Sequence, residues 1–90
     1  DAAWLVRCSI LSALAEQPGI DLGWLLELAT MAIADADAIV RVSGAEILSR
    51  IVREGGSDSI GAKARGVLQS LQKDSDHRVV AAVLNGVQAS

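Results

Sequence analysis

The apolar residues of this chain recur at helical spacing in three stretches that open alike. The openings are Asp1-Ala2-Ala3-Trp4-Leu5-Val6-Arg7, Asp35-Ala36-Asp37-Ala38-Ile39-Val40-Arg41 and Asp74-Ser75-Asp76-His77-Arg78-Val79-Val80. Val6 leads to Ile10, Ala13 and Leu14; Val40 to Gly44, Ile47, Leu48 and Ile51; Val79 to Val83, Gly86 and Val87. Steps of three and four place each set on one face of a helix. The anchor valines lie 40 − 6 = 34 and 79 − 40 = 39 residues apart. That period is typical of stacked helical repeats rather than of one closed domain.

The pattern predicts five helices, over about residues 2–16, 22–34, 38–54, 60–73 and 77–89. Asp1, Asp21 and Asp37 stand where a carboxylate can accept from the free N–H groups of a first turn. Pro18-Gly19 ends the first helix, because proline cannot continue the hydrogen-bond ladder. Gly55-Gly56-Ser57-Asp58-Ser59 is the clearest break, with glycine expected in left-handed C-cap geometry and Ser and Asp as the next N-cap. The second helix carries Leu22, Leu25, Leu26, Ala29 and Ile33 on one face. The fourth carries Ile60, Ala64, Val67, Leu68 and Leu71. Naming the two helices of a hairpin A and B, the order is B, A–B, A–B. Residues 1–17 are then the second helix of a truncated repeat, 21–54 a repeat and 58–90 a repeat. The chain begins with Asp on a B helix, and is expected to be a piece of a longer array.

Composition narrows the function. Hydrophobic residues make up 51%, with two Trp and neither Phe nor Tyr, which suits closely packed helices rather than strands. The net charge of −3 comes with no basic stripe, so nucleic acid is not an expected partner. Lone Cys8 cannot form an internal disulfide, which fits a reducing, cytoplasmic setting. No apolar run approaches the ~20 residues of a membrane span. One His and one Cys cannot make a metal set or a nucleophile–base–orienter trio. The pairs Asp35/Asp37 and Asp74/Asp76 read as helix caps rather than Ca²⁺ ligands. No catalytic, metal or cofactor site is expected. Cys8 reads as a packed thiol and His77 as a surface residue at a helix start.

The run Asp35-x-Asp37-x-x-Val40-Arg41-x-x-Gly44-Ala45-x-x-Leu48 resembles the second helix of a HEAT repeat. The segment Asp1-x-x-Trp4-Leu5-Val6-Arg7 is similar to the short HEAT-like repeats of the phycobilisome lyase type, found in bilin lyases and phycobilisome turnover factors. The resemblance covers the whole chain. It implies an all-α, right-handed α-solenoid of HEAT-like hairpins acting as a non-catalytic protein-interaction scaffold, with a phycobiliprotein as a candidate partner. Part of a bilin lyase is the alternative it implies. It also implies an inter-repeat ladder of Asp–Arg pairs carried by Asp35 or Asp37, Arg7 and Arg41. The third copy departs, with Val80 where Arg is expected and Arg78 two residues earlier. In such arrays the B helices line the concave face. Six and ten residues past each valine, that face would hold Ser12, Glu46 and Asn85, then Glu16 and Arg50, with Ala89 last.

Further expectations concern packing. Ala15, Gly44 and Ser49 are small enough to let helices approach. Trp24 reads as core or inter-helix filler. Trp4, at the start of a B helix, is either packing or a partner contact. With no A helix before it, the first helix should leave an apolar strip exposed near Leu5 and Leu11, favouring self-association.

Overall fold

A computed structural model describes residues 3–55 and 58–88, with the side chain of residue 88 left aside. The expected caps and ends at Asp1, Gly56, Ser57 and Ala89 lie outside the described residues. Within them are five α-helices and no strand: α1 Ala3–Ala15, α2 Leu22–Ala32, α3 Ala38–Gly55, α4 Ser59–Ser70 and α5 His77–Gln88. A 3-10 turn, Leu71–Lys73, finishes α4.

Local chemistry accounts for the boundaries. Past Ala15 the chain reaches Pro18, and Gly19 turns it with φ 72°, the only positive φ among the described residues. Asp21 then caps α2, its Oδ2 accepting from Trp24 N at 2.9 Å. Asp21→Ala should cost about 1 kcal/mol, read as a lower midpoint in urea unfolding. Asp37 and Asp76 cap α3 and α5 through Ile39 N and Arg78 N, at 2.9 and 2.8 Å. Asp58 occupies the N-cap of α4 but makes no side-chain cap bond. Gly55 is not a left-handed cap. It is the last residue of α3, and a Cβ there would come within 3.1 Å of Gly61 Cα. Its missing side chain lets α3 and α4 touch.

α3 packs against all four other helices. Val40, Ile47, Leu48 and Ile51 are buried as expected, joined by Ala45 and Val52. α2 contributes Leu25, Ala29 and Ala32; α4 contributes Ala64 and Leu68; α5 contributes Val79 and Val83. Burying each larger side chain is worth roughly 1.5–3 kcal/mol. Gly44 lets α2 sit close, since a Cβ there would lie 3.0 Å from Ala32 Cβ and 2.9 Å from Ile33 Cγ2. α1 meets α3, and α3 also meets α5; α2 and α4 touch as well.

The first copy of the apolar pattern behaves differently. Val40 and Val79 are 1% and 0% exposed, whereas Val6 is 59% exposed; Ile10 and Ala13 are exposed too. α1 instead turns Trp4, Cys8, Leu11 and Ala15 to the core, four residues at 4-3-4 spacing. Leu11 is therefore buried, not exposed, while Leu5 is exposed as expected. The reason is coverage. Val6, Ile10 and Ala13 correspond to Val40, Gly44 and Ile47, whose face on α3 is closed by α2. Nothing among the described residues closes that face on α1. Trp24 is also a correction: it is 42% exposed, while Trp4 packs against the core.

Candidate interaction groove

Two turns hold the helices in register. In Asp35-Ala36-Asp37 the first carboxylate accepts from Asp37 N at 2.8 Å, and in Asp74-Ser75-Asp76 the first accepts from Asp76 N at 2.9 Å. Each first carboxylate also receives an arginine from an earlier helix. Arg7 Nε lies 2.6 Å from Asp35 Oδ2, and its Nη2 donates to Oδ1 at 3.0 Å. Arg41 Nε and Nη2 donate to Asp74 Oδ2 and Oδ1 at 2.9 and 3.2 Å. Both are two-point clamps that suit guanidinium geometry. Arg41 goes further, its Nη1 donating to the carbonyls of Asp35 and Ala36 at 3.0 Å each. It thereby ties both turns together.

The clamps explain the titration of these groups. Asp37 N and the Arg7 guanidinium hold Asp35 below its ordinary value of 3.8. Arg41, then Asp76 N, lower Asp74 in the same way. Arg41 is raised by its bonds to Asp74. In the third copy Arg78 folds back on its own cap, Asp76, through Nε and Nη2 at 3.0 and 2.9 Å, and lowers that carboxyl strongly.

Of the expected ladder residues, Asp35, Arg7 and Arg41 take part, one drops out and one further residue joins. Asp37 takes no part in an arginine clamp, because its oxygen is engaged by the first turn of α3. Asp74 joins instead. Its signal was visible, since it holds in the third copy the place of Asp35 in the second.

On the same side of α1, α3 and α5 lie two adjoining depressions. The first, of about 460 Å³, includes Ser12, Glu16, Glu46, Arg50 and Arg53 in its lining. The second, of about 650 Å³, includes Glu46, Ser49, Arg53, Arg78 and Asn85. Glu46 and Arg53 border both, so the two form one groove crossing three helices. Five of the six expected face residues meet there: Ser12, Glu16, Glu46, Arg50 and Asn85; the sixth, Ala89, lies outside the described residues. Trp4, the other candidate contact, borders a separate depression with Ala3, Arg7, Ala36 and Asp37. Its ring is spent on packing at the head of α1. Arg53 was missed, although its steps of three from Arg50 and seven from Glu46 put it on that stripe.

The groove carries both signs of charge. Arg50 is paired with Glu54 one turn on, and Arg78 with Asp76. Glu16, Glu46 and Arg53 have no ion-pair partner among the described residues. Such a surface offers directed hydrogen bonds to donors and acceptors alike, as a polypeptide presents, rather than a uniform field.

Other candidate residues stand apart. Cys8 is half-buried between α1 and α3, its Sγ 3.4 Å from Ser43 Oγ. His77 is exposed as the first residue of α5. Among the described residues no group of His, Cys, Asp or Glu could hold a metal ion, and no helix is long and apolar enough to cross a membrane. Comparison with protein-family models, with curated proteins and with solved structures returns no match for this chain.

Proposed function

We propose that this chain is a short α-solenoid of HEAT-like hairpins that serves as a protein-interaction scaffold, with the α1–α3–α5 groove as its docking surface. The observation that carries the function is the groove itself. Three helices separated in sequence bring polar side chains at one repeated register onto a single continuous surface. The repeated clamp supports the repeat reading: Arg7 on Asp35 and Arg41 on Asp74 are the same contact made twice. The third copy has no onward arginine, consistent with a terminal or degenerate unit.

A phycobiliprotein is the first partner class to test, on the strength of the Trp4-Leu5-Val6-Arg7 resemblance. The test is capture from a cyanobacterial lysate, wild type against the Glu46→Ala/Arg50→Ala double variant. Both side chains lie on the outer surface of α3, so the variant should stay folded by circular dichroism. Phycobiliprotein recovered by wild type and lost at least tenfold in the variant is the expected result. A different partner, equally dependent on the groove, would retain the scaffold and end the antenna assignment. Capture unaffected by the variant would overturn the groove.

A further inference from the structure

We infer, resting on the scaffold reading above, that the groove takes an extended peptide bearing a lysine or arginine and, three residues on, an aspartate or glutamate. Glu46 and Arg53 border both depressions and have no ion-pair partner among the described residues. Both are exposed, and they stand seven residues apart on α3. Two turns of helix bring them back to one stripe, about 10 Å apart along the axis. An unpaired anion and an unpaired cation at a fixed separation select a ligand with complementary charges at the same separation. On the scaffold reading, hairpins added at either end of the stack lengthen the groove rather than cover it.

The other charges leave this pair in control. Arg50, between the two, is held by Glu54, and Arg78, on the α5 side, is held by Asp76. Glu16 is unpaired and adds a second carboxylate to the first depression, which strengthens the hold on a ligand cation. Among the described residues no other charged side chain lines either depression. The free charges therefore carry both signs, and neither a uniformly basic nor a uniformly acidic ligand satisfies them.

Polarity selects an extended backbone over a helix. A docked helix needs apolar anchors set into a hydrophobic groove. None of the large apolar residues exposed on the chain borders this groove, and Leu11 and Ile47 in its lining are 8% and 6% exposed. Ser12 and Asn85, exposed on its two sides, suit a ligand whose own N–H and C=O groups are free. A polyproline-II segment has such a backbone. It returns to the same side every third residue, after about 9 Å, which matches the separation of Glu46 and Arg53. Without a buried anchor the binding is weak, and it falls with added salt.

Amide NMR titration of the labelled chain tests this directly. The probes are Lys-Ala-Pro-Glu, Lys-Ala-Pro-Lys, Glu-Ala-Pro-Glu and the scrambled Lys-Glu-Ala-Pro, each acetylated and amidated so that the ends add no charge. Lys-Ala-Pro-Glu should bind about threefold more tightly than the others, the contribution of one exposed ion pair, with shifts centred on Glu46 and Arg53. Arg53→Glu should move the preference to Lys-Ala-Pro-Lys, and Glu46→Lys should move it to Glu-Ala-Pro-Glu. Both positions are exposed, so the variants retain the fold, and a switch of preference is not something a general loss of structure produces. A preference that does not switch, equal binding of the scrambled peptide, shifts away from the groove, or no binding of any probe would overturn the inference. Partner capture that still depends on Glu46 and Arg50 would leave the scaffold reading standing in each of those cases, so the two failures are separable.

Discussion

Arg41→Ala is expected to lower the unfolding free energy by about 3 kcal/mol, since hydrogen bonds to charged groups are worth roughly 1.5–3 kcal/mol each when lost. The guanidinium holds two turns at once, through both oxygens of Asp74 and the carbonyls of Asp35 and Ala36. The pair is largely withdrawn from water, with the Arg41 and Asp74 side chains 16% and 10% exposed. Truncation leaves the Asp74 carboxylate, 10% exposed, without its cation, which costs more than the net value of the bonds. At this chain length the loss equals roughly 15 °C in the thermal midpoint. Arg7→Ala removes a similar clamp, but Arg7 is 45% exposed. Water replaces much of what is lost, and the effect should stay below about 1 kcal/mol.

The pH dependence separates this contact from mere packing. Asp74 is lowered in the folded chain, chiefly by Arg41. A lowered carboxyl stabilises the fold above its unfolded value, near 3.8, and that contribution fades as pH falls toward the native value. The gap between wild type and Arg41→Ala should be full at pH 6 and shrink below 3.8. Urea midpoints measured across that range would show it. A gap that holds constant to pH 2 would mean that Arg41 acts through its aliphatic stem.

Gly86→Ala is expected to cost about 2–3 kcal/mol, in the upper part of the range for overpacking a close crossing. α3 and α5 cross where Ser49 meets Gly86. A Cβ at Gly86 would overlap Ser49 Oγ, lie 2.9 Å from Ser49 Cβ and 3.0 Å from Leu68 Cδ2. The hydroxyl cannot simply swing away, because Ser49 is buried and donates to Ala45 O at 2.9 Å. Ser49→Ala removes the nearest atom but keeps the Cβ. Combined with Gly86→Ala, it should recover part of the loss, about 1 kcal/mol by double-mutant cycle. Simple additivity of the two changes would show that the crossing has room to relax.

Much of this architecture was legible in the chain. The helix starts followed from Asp21, Asp37 and Asp76, because a cap is a contact within four residues and needs no tertiary partner. The repeated register of Val40 and Val79 located the core faces of α3 and α5. The same counting brought Ser12, Glu16, Glu46, Arg50 and Asn85 to one face, since helical angles accumulate predictably along each helix. Arg53 lay on that stripe and could have been read with them.

The rest required the packed chain. Val6 carries the same local pattern as Val40, yet one is exposed and the other closed, because burial depends on whether another helix lies across the face. Trp24, expected as filler, is exposed, whereas Trp4 takes the packing place of the two open to it. On α2 the expected stripe of Leu22, Leu25, Leu26, Ala29 and Ile33 packs in or against the core, and Trp24 and Met31, on the opposite arc of the helix, stay outside. The division of labour between Asp35 and Asp37 was equally hidden. Both can cap or pair, and only the approach of Arg7 across 28 residues decided which carboxylate it reached. Sequence alone determined what each helix could bury, cap and display, since those are properties of neighbouring residues. Tertiary structure decided which of those faces found a partner, since that depends on residues far apart in the chain.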